Sequence, residues 1–293
     1  MNLFHDQKPF WKGNLHCHTT RSDGVLSPQE VKAVYRRLGY DFLALTDHRI
    51  LSEAAHTDEG MLLLPGLEMD FMLAGEALHL VGIGMRPEYE SYASRLQGPQ
   101  GCIDAIRRSG GRAILAHPAW SLNTTATLCA LRDVTAAEIY NSVSTYPWNG
   151  DRADSSVLLD IAAAHGALYN VVASDDAHRY QGEAGRGFTM VQADELSQEG
   201  ILSALDEGRF YCSQGPRLEQ ISLDGGYLSV RCSPVRTILF YSNLVWANGR
   251  CLTGEGMTSG RYDLSANRGE TFLRVQIMDA EGKSAWSNPI SLK

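Results

Sequence analysis

The chain lacks three features that would place it in a membrane or on nucleic acid. No apolar run in its 293 residues reaches the roughly 20 residues that a membrane-spanning helix needs. The N-terminal segment shows no secretory signal pattern. Positive charge is scarce, since 26 Lys and Arg against 34 Asp and Glu leave a formal net charge of −8. This balance predicts that the protein does not bind long duplex nucleic acid.

Cysteine is also sparse, with six residues and no Cys-x-x-Cys pair. In a chain of this length, scattered cysteines are typical of free thiols in a reducing compartment. We therefore expect a cytoplasmic protein without membrane association. Its apolar fraction of 44% and charged fraction of 20% are those of a soluble globular protein that can bury a core.

Short apolar runs alternate with helix-like segments over the first two hundred residues. Runs that end in polar residues, as strands buried on both faces do, lie at 41–48, 60–68, 112–118, 136–141 and 167–178. The clearest helix signal is at 27–39, where Ser27 precedes Pro28 and Gly39 ends the segment. This alternation predicts an α/β fold built from parallel βα units, either a barrel or a wound sheet.

Two regions depart from that pattern. Only the letters AGE separate the runs at 66–73 and 77–85, which is too short for a helical crossover, so we predict a hairpin there. After about Gly215 apolar and polar residues alternate in short runs, and Asp-Gly, Asn-Gly and Glu-Gly turns separate these runs. This pattern predicts a small β-sandwich. We therefore predict a first domain over residues 1–214 and a β-module over 215–293.

Histidines and carboxylates gather at the predicted strand ends. The six histidines concerned are His16, His18, His48, His79, His117 and His178, and the neighbouring acids are Asp23, Glu68, Asp175 and Asp176. Any one of them alone could be a hydrogen-bonded core or turn residue. Residues 179–293 contain no histidine, however, so the joint pattern favours metal binding at one rim of the sheet. His5, His56 and His165 are expected to lie outside this site.

The segments LHCHTTRSDG, LTDH, PGLE, HLVG, AHP and SDDAH, in this order, resemble the PHP (polymerase and histidinol phosphatase) family of metal-dependent phosphoesterases. The resemblance covers roughly residues 11–212. It implies a distorted (β/α)7 barrel, and the branch it points to adds a small C-terminal all-β immunoglobulin-like sandwich. It also implies a trinuclear site with two to three divalent ions of Mn, Zn or Fe.

The resemblance implies nine ligands, which are His16, His18, Asp23, His48, Glu68, His79, His117, Asp176 and His178. By this assignment His16, His18 and Asp176 hold one ion with Glu68, and Glu68 bridges to an ion held by His79 and His117. Asp23, His48 and His178 hold the third. The family ending is Ser-Asp-x-His, whereas this chain has two successive acids, so Asp175 stays an alternative to Asp176. Glu68, Asp176 and His178 are the catalytic candidates.

The expected function is hydrolysis of a small phosphorylated molecule by a metal-bridging hydroxide. Candidate substrate contacts are Arg21, Arg49, Arg179 and Asn141, with Glu138 as a further polar residue at the same strand end as Asn141. Each arginine could equally be a solvated rim residue. Two alternatives stay open: an amidohydrolase-type enzyme that cleaves a C–N or C–O bond, and a non-catalytic metal-containing binding module. The sequence leaves the oligomeric state open.

Overall fold

The computed structural model describes residues 2–4, 8–73, 75–90, 98–147 and 149–292. The strands of the first part are β1 (Phe10–Asn14), β2 (Phe42–Leu45), β3 (His56–Asp58), β4 (Met61–Leu73), β5 (Glu76–Ile83), β6 (Arg112–Leu115), β7 (Ala136–Asn141), β8 (Asn170–Ser174), β9 (Phe188–Gln192) and β10 (Phe210–Ser213). The helices are α1 (Pro28–Arg37), α2 (Gly98–Arg108), α3 (Thr125–Ala130), α4 (Ser156–Ala164) and α5 (Gln198–Asp206).

The pairing of these strands confirms a mixed α/β fold. β1, β2 and β4 are parallel neighbours, and so are β6, β7 and β8. Between the two sets, β4 and β5 form the predicted antiparallel hairpin, with Leu73 opposite Glu76. β5 then pairs with β6 in antiparallel orientation, so the hairpin replaces one βα unit.

A closed barrel is not confirmed. The strands form one open sheet whose hydrogen-bonded order runs from β8 through β7, β6, β5, β4, β2, β1 and β9 to β10 and beyond. Among the described residues no ladder joins β8 to β1. The segments after these two strands meet instead at a single parallel bridge between Cys17 and Ala177, next to a bond from Asp176 N to His16 O of 2.9 Å. This contact brings the predicted ligands of the two segments together.

Helix starts follow the predicted caps. Ser27 accepts a bond from Glu30 N, and the Glu30 carboxylate accepts one from Ser27 N at 2.8 Å, which is a complete capping box. Ser197 caps α5 through Gly200 N. Such caps contribute about 1 kcal/mol each. No described helix is both long and apolar enough to cross a bilayer.

The C-terminal strands are β11 (Leu218–Asp224), β12 (Tyr227–Tyr241), β13 (Cys251–Asp263), β14 (Phe272–Met278), β15 (Ser284–Ser287) and β16 (Ile290–Ser291). They pair in antiparallel order, including a hairpin at Glu281-Gly282 that joins β14 to β15. β15 also pairs with β10, so these strands continue the large sheet, and a separate sandwich is not confirmed. The boundary between residues 214 and 215 stays a prediction.

Side chains of the C-terminal strands pack directly on the first part of the chain. Trp286 stacks on Tyr140 of β7, with ring centroids 5.8 Å apart, and belongs to the same core cluster. The buried Arg274 guanidinium donates two bonds, of 3.0 and 2.7 Å, to Asp160 of α4. These contacts join the C-terminal strands to β7 and α4.

Candidate metal centre

All nine residues predicted as ligands lie on, or shortly after, strands that run side by side. His16, His18 and Asp23 follow β1, His48 follows β2, Glu68 lies in β4, His79 lies in β5, His117 follows β6, and Asp176 and His178 follow β8. On the β4–β5 hairpin Glu68 stands opposite Val81, two residues from His79, so the side chains of Glu68 and His79 share one face. Their contact, from Glu68 Oε1 to His79 Nδ1, is 2.7 Å.

The structure brings these nine side chains into three groups, in each of which the candidate ligand atoms lie within 4.8 Å of one another. We call them the deep group (His16, His18, Glu68, Asp176), the hairpin group (Glu68, His79, His117) and the rim group (His18, Asp23, His48, His178). Glu68 belongs to two groups, as the resemblance implied. His18 also belongs to two, which the sequence did not suggest. The ligand roles themselves stay predictions.

The deep group has the spacing of a coordination shell. His16 Nε2 and His18 Nε2 are 3.3 Å apart, and each lies between 3.0 and 3.3 Å from Glu68 Oε2 and Asp176 Oδ1. A tetrahedron of ligands around a metal at about 2.0–2.1 Å has edges of about 3.3 Å. The side chains are almost fully buried, so the strands rather than solvent determine this spacing.

The other two groups are looser. In the rim group Asp23 lies 3.3 Å from His18 Nδ1, 3.3 Å from His178 Nε2 and 3.6 Å from His48 Nε2. In the hairpin group His117 Nε2 lies 3.5 Å from Glu68 Oε1. The described cluster therefore offers two further places for a cation, next to the deep group.

Charge in the cluster favours a bound cation. Burial alone would raise the pKa of Glu68, but the neighbouring His16, His117 and His18 hold this pKa well below its usual value. Burial would likewise lower the pKa of His18, yet the neighbouring carboxylates of Asp176 and Glu68 raise it to about 9. Each carboxylate is thus held as an anion that attracts positive charge, and a metal ion competes with protons for the imidazoles.

Two buried polar atoms also fit a metal. Asp176 Oδ1 and His48 Nδ1 are shielded from solvent and make no hydrogen bond among the described residues. Such atoms are costly to bury unless something binds them. Imidazole nitrogen with carboxylate oxygen is a donor set suited to Zn, Mn or Fe. The cluster can therefore hold metal.

The structure separates the two successive acids after β8. Asp175 accepts bonds from the backbone N–H groups of Gly185, Arg186 and Gly187 at 2.7–2.9 Å, and from Tyr35 OH at 3.1 Å. Its carboxylate therefore fixes a loop. Asp176 faces His16 and His18 in the deep group.

The predicted substrate contacts lie in four different places. Arg179 lines a cavity of about 490 Å³ that opens over the cluster. Arg49 instead pairs with Asp70 through two bonds of 3.0 and 2.6 Å, and Arg21 lines a separate cleft beside α1. Asn141 is fully buried and donates to Asp176 Oδ2 at 3.2 Å and to Glu138 Oε2 at 2.8 Å. Its contacts fix ligands, and it does not line the described cavity wall.

Comparison with known proteins begins with one negative result, since no family model matches the chain. A 5'-3' exoribonuclease of Haemophilus influenzae is 35% identical over 91 residues, which is 29% of this chain and 33% of the relative. A 3',5'-nucleoside bisphosphate phosphatase of Chromobacterium violaceum is 33% identical over 103 residues, which is 33% of this chain and 36% of the relative. The chain thus spans about a third of the length of these curated relatives.

A solved structure from Bacteroides vulgatus matches nearly the whole chain. It is described as a two-domain protein containing a predicted PHP-like metal-dependent phosphoesterase. The match covers 99% of this chain and 97% of that one, with a TM-score of 0.53 and 17% identity. The chain has a PHP-like fold. The family resemblance carried by the motifs is confirmed, and at this identity the structural likeness itself shows the shared fold.

Several residues that line the cavity were not predicted from the sequence. Trp120 and Asn149 line the cavity, and Trp120 Nε1 donates to Asn149 Oδ1 at 3.0 Å. Glu183 also lines it, and its Oε2 accepts bonds of 2.7 Å from both His178 N and Arg179 N. None of the three lies in a strand or a ligand-like motif, so the sequence carried no signal for them.

Glu138 was predicted only as a polar residue at a strand end, and in the structure it contacts two of the histidines. Its Oε1 lies 2.9 Å from His16 Nδ1, and its Oε2 accepts a bond of 2.8 Å from His117 N. The Ser174 hydroxyl donates to the same carboxylate. A carboxylate that contacts the far nitrogen of a ligating imidazole orients the ring and makes the other nitrogen a stronger metal ligand.

The backbone at two cluster residues is in the left-handed region. φ is 28° at His117 and 53° at Asp176, and a residue with a side chain pays about 1–3 kcal/mol there. Hydrogen bonds hold both conformations, from His117 N to Glu138 and from Asp176 N to His16 O. Backbone strain at these two positions indicates that the cluster requires this direction of the two side chains.

The remaining histidines stand apart from the cluster. His56 and His165 are exposed, and each ring bonds a nearby carbonyl, that of Ala54 and that of Ile161. His5 lies outside the described residues. All six cysteines are free, and Cys17 is buried with Val31 and Leu43 on the side away from the cluster.

Proposed function

We propose that this PHP-like chain is a metal-dependent hydrolase of phosphate esters that acts on a small phosphorylated molecule. The observation that carries the proposal is the deep group, in which five pairs of ligand atoms lie 3.0–3.3 Å apart, close to the edge of a coordination tetrahedron. This group shares Glu68 with the hairpin group. The names of the relatives, an exoribonuclease and a bisphosphate phosphatase, support phosphate ester chemistry.

We further propose two to three ions, held by the deep, hairpin and rim groups in turn. When bound, these ions would supply Lewis-acid stabilisation of phosphate oxygens and a water that ionises near neutral pH. Glu68 contacts His79 of the hairpin group, and Asp176 lies near His117 of the same group, although both carboxylates belong to the deep group. His178 belongs to the rim group and also lines the cavity. These three are therefore the proposed catalytic residues.

The chain's own residues supply orientation. Glu138 holds the His16 ring, and Asn141 holds both Glu138 and Asp176, so the deep group is fixed before substrate arrives. Arg179 stands at the cavity wall, where its guanidinium can donate to a phosphate oxygen. Glu183 accepts hydrogen bonds from the backbone N–H groups of both His178 and Arg179, and so holds the backbone from which these two side chains extend.

The alternative of C–N or C–O hydrolysis has less support. A carbamylated lysine bridge needs a lysine at the cluster, and no described residue lining the cavity is a lysine. Glu68 takes the bridging position between the deep and hairpin groups. A long duplex as substrate is opposed by the net charge of −8.

Metal content and a substrate panel test the proposal together. Purified protein, stripped with a chelator and then reloaded separately with Mn, Zn and Fe, is assayed for bound metal and for turnover. The panel contains aryl phosphates, a phosphodiester, a short oligoribonucleotide, an ester and an amide. We expect two to three metal equivalents and turnover of a phosphomonoester that chelation abolishes. Turnover of the amide alone, or less than one equivalent after reloading, would overturn the proposal.

A further inference from the structure

The wall of the cavity beyond the metal cluster is almost uncharged. Within the described residues its neutral members are Val25, Trp120, Val143, Ser144 and Asn149. The charged members outside the cluster are one arginine, Arg179, and one glutamate, Glu183. A substrate in this cavity thus meets strong cationic attraction at the cluster and little elsewhere.

Two arginines that the motifs place beside ligands, Arg49 and Arg21, lie outside this wall. Arg49 forms its two bonds with Asp70. Arg21 lies in the cleft beside α1, and there Lys32 pairs with Asp58 at 2.7 Å. A second phosphate on the substrate would find one cationic side chain, Arg179, on the described part of this wall. A phosphate group loses its hydration when it binds, and charge-assisted hydrogen bonds must replace that hydration. This wall therefore disfavours a second phosphate group.

Trp120 is held in place next to the cluster. Its Nε1 donates to Asn149 Oδ1 at 3.0 Å, and Asn149 Nδ2 donates to Val143 O at 2.8 Å. The indole centroid lies 4.9 Å from that of His117 and 6.0 Å from that of His79, in edge-to-face geometry. An aromatic side chain fixed before binding offers a flat apolar surface at little entropic cost.

We propose that Trp120 is a specificity-determining residue that selects phosphomonoesters with a neutral, planar aromatic leaving group. The phosphate lies at the cluster, within reach of Arg179, and the leaving group packs against Trp120 and Val143. The cavity volume of about 490 Å³ suits one such group. Bisphosphates and longer polyanions are discriminated against. This inference rests on the proposed phosphoesterase function and names its substrate class.

The first test compares kcat/KM for 1-naphthyl phosphate and glycerol phosphate in metal-loaded protein. The ratio of the two is expected to fall about tenfold in W120A, since an aromatic contact is lost for one substrate only. W120F keeps a planar ring and should retain most of the ratio. Trp246→Ala, which removes an exposed tryptophan of the β12–β13 loop, is the matched control and should leave the ratio unchanged. An equal loss for both substrates in W120A would overturn the proposal.

The second test compares adenosine 5'-monophosphate with adenosine 3',5'-bisphosphate on the wild-type protein. We expect kcat/KM to favour the monophosphate. Equal or faster turnover of the bisphosphate would overturn the exclusion of a second phosphate. These two substrates share one base, so the comparison isolates the charge.

A binding measurement separates failure of this inference from failure of the proposed function. Calorimetry of the metal-loaded protein with 1-naphthylphosphonate and methylphosphonate requires no turnover. A protein that hydrolyses no phosphate ester but binds the aryl phosphonate at least about tenfold more tightly than the methyl one, with the difference lost in W120A, would refute the function and support the selectivity. Equal binding of the two phosphonates would refute the selectivity.

Discussion

The deep group and the rim group contain the same kinds of side chain in very different surroundings. His16 and Glu68 of the deep group are 1% exposed, whereas His48 and His178 of the rim group are 27% exposed and Asp23 is 52% exposed. Water can replace a lost ligand at the rim but has little access to the deep group. The deep group should therefore bind its ion more tightly and exchange it more slowly.

The two groups also differ in what holds their ligands. Glu138 and Asn141, on β7, support the deep group from a neighbouring strand. Asp23 lies on the loop after β1, which Asp47 holds by accepting bonds from Thr19 N at 2.8 Å and Ser22 Oγ at 2.7 Å. Ligands that side chains of a strand hold in place keep their geometry better than a ligand that a loop holds. Substitutions should thus affect the two groups unequally.

Substitution of Glu68 by glutamine is expected to have the largest effect, because its two oxygens serve two groups. Oε2 faces His16 and His18, and Oε1 faces His79. An amide oxygen is a neutral, weaker ligand, so we expect bound metal to fall to about one equivalent, at the rim group, and activity to fall about a thousandfold. Elemental analysis and kcat/KM measure this.

The matched control for E68Q is Glu53→Gln, a substitution of an exposed glutamate. It should keep the metal content and turnover of the wild type. Circular dichroism establishes that E68Q is folded. Wild-type metal content and turnover in folded E68Q would contradict the bridging position of Glu68.

The family resemblance implied the residues of the deep group, and the strand order explains how some of them meet. His16 and His18 alternate on an extended segment after β1, and parallel pairing brings the ends of β1 and β2 to the same edge. The hairpin followed from a connection too short for a helix. Local rules of this kind also place Ser27 at the start of α1.

Contacts that depend on tertiary packing were not predictable. Arg49 looked like a phosphate ligand, but β4 places Asp70 beside it. Trp120 and Glu183 reach the cavity through irregular loops, which carry no periodic pattern. The resemblance implied a closed barrel, yet the segments after β1 and β8 meet at one bridge, and β1 pairs with β9 instead.

Substitution of Glu138 by glutamine would sharpen the comparison at the deep group. The carboxylate lies behind His16, and loss of its charge should weaken metal affinity there by about 10–100-fold without changing the rim group. Competitive titration with a chromophoric chelator resolves tight and weak ions separately. Glu199→Gln, at an exposed helical position, is the control. An equal loss of both ions would show that the two groups are not independent.

Substitution of Asp23 by asparagine should remove the rim ion alone. Asp23 contacts His18, His48 and His178, but it contacts no residue that belongs solely to the deep group. We expect a loss of about one metal equivalent, because Asp23 is the one carboxylate of the rim group, and an activity about tenfold lower, since the other two groups keep their ligands. Asp151→Asn, another exposed acid, should keep the full metal content. Complete loss of metal in D23N would make the rim group essential to the deep one.

Substitution of Ser22 by alanine should give the smallest effect and is the finest test of loop support. The Ser22 hydroxyl lies 3.0 Å from Asp23 Oδ1 and donates to Asp47 Oδ1 at 2.7 Å, so it links the rim ligand to the residue that holds the loop. One hydrogen bond contributes about 1 kcal/mol, which predicts a rim affinity about fivefold weaker and an unchanged deep affinity. Ser265→Ala removes a comparable bond, of 2.7 Å, to Asp263 far along the chain and should leave both affinities unchanged. If S22A instead loses the rim ion as completely as D23N does, the loop rather than the Asp23 carboxylate determines binding at the rim.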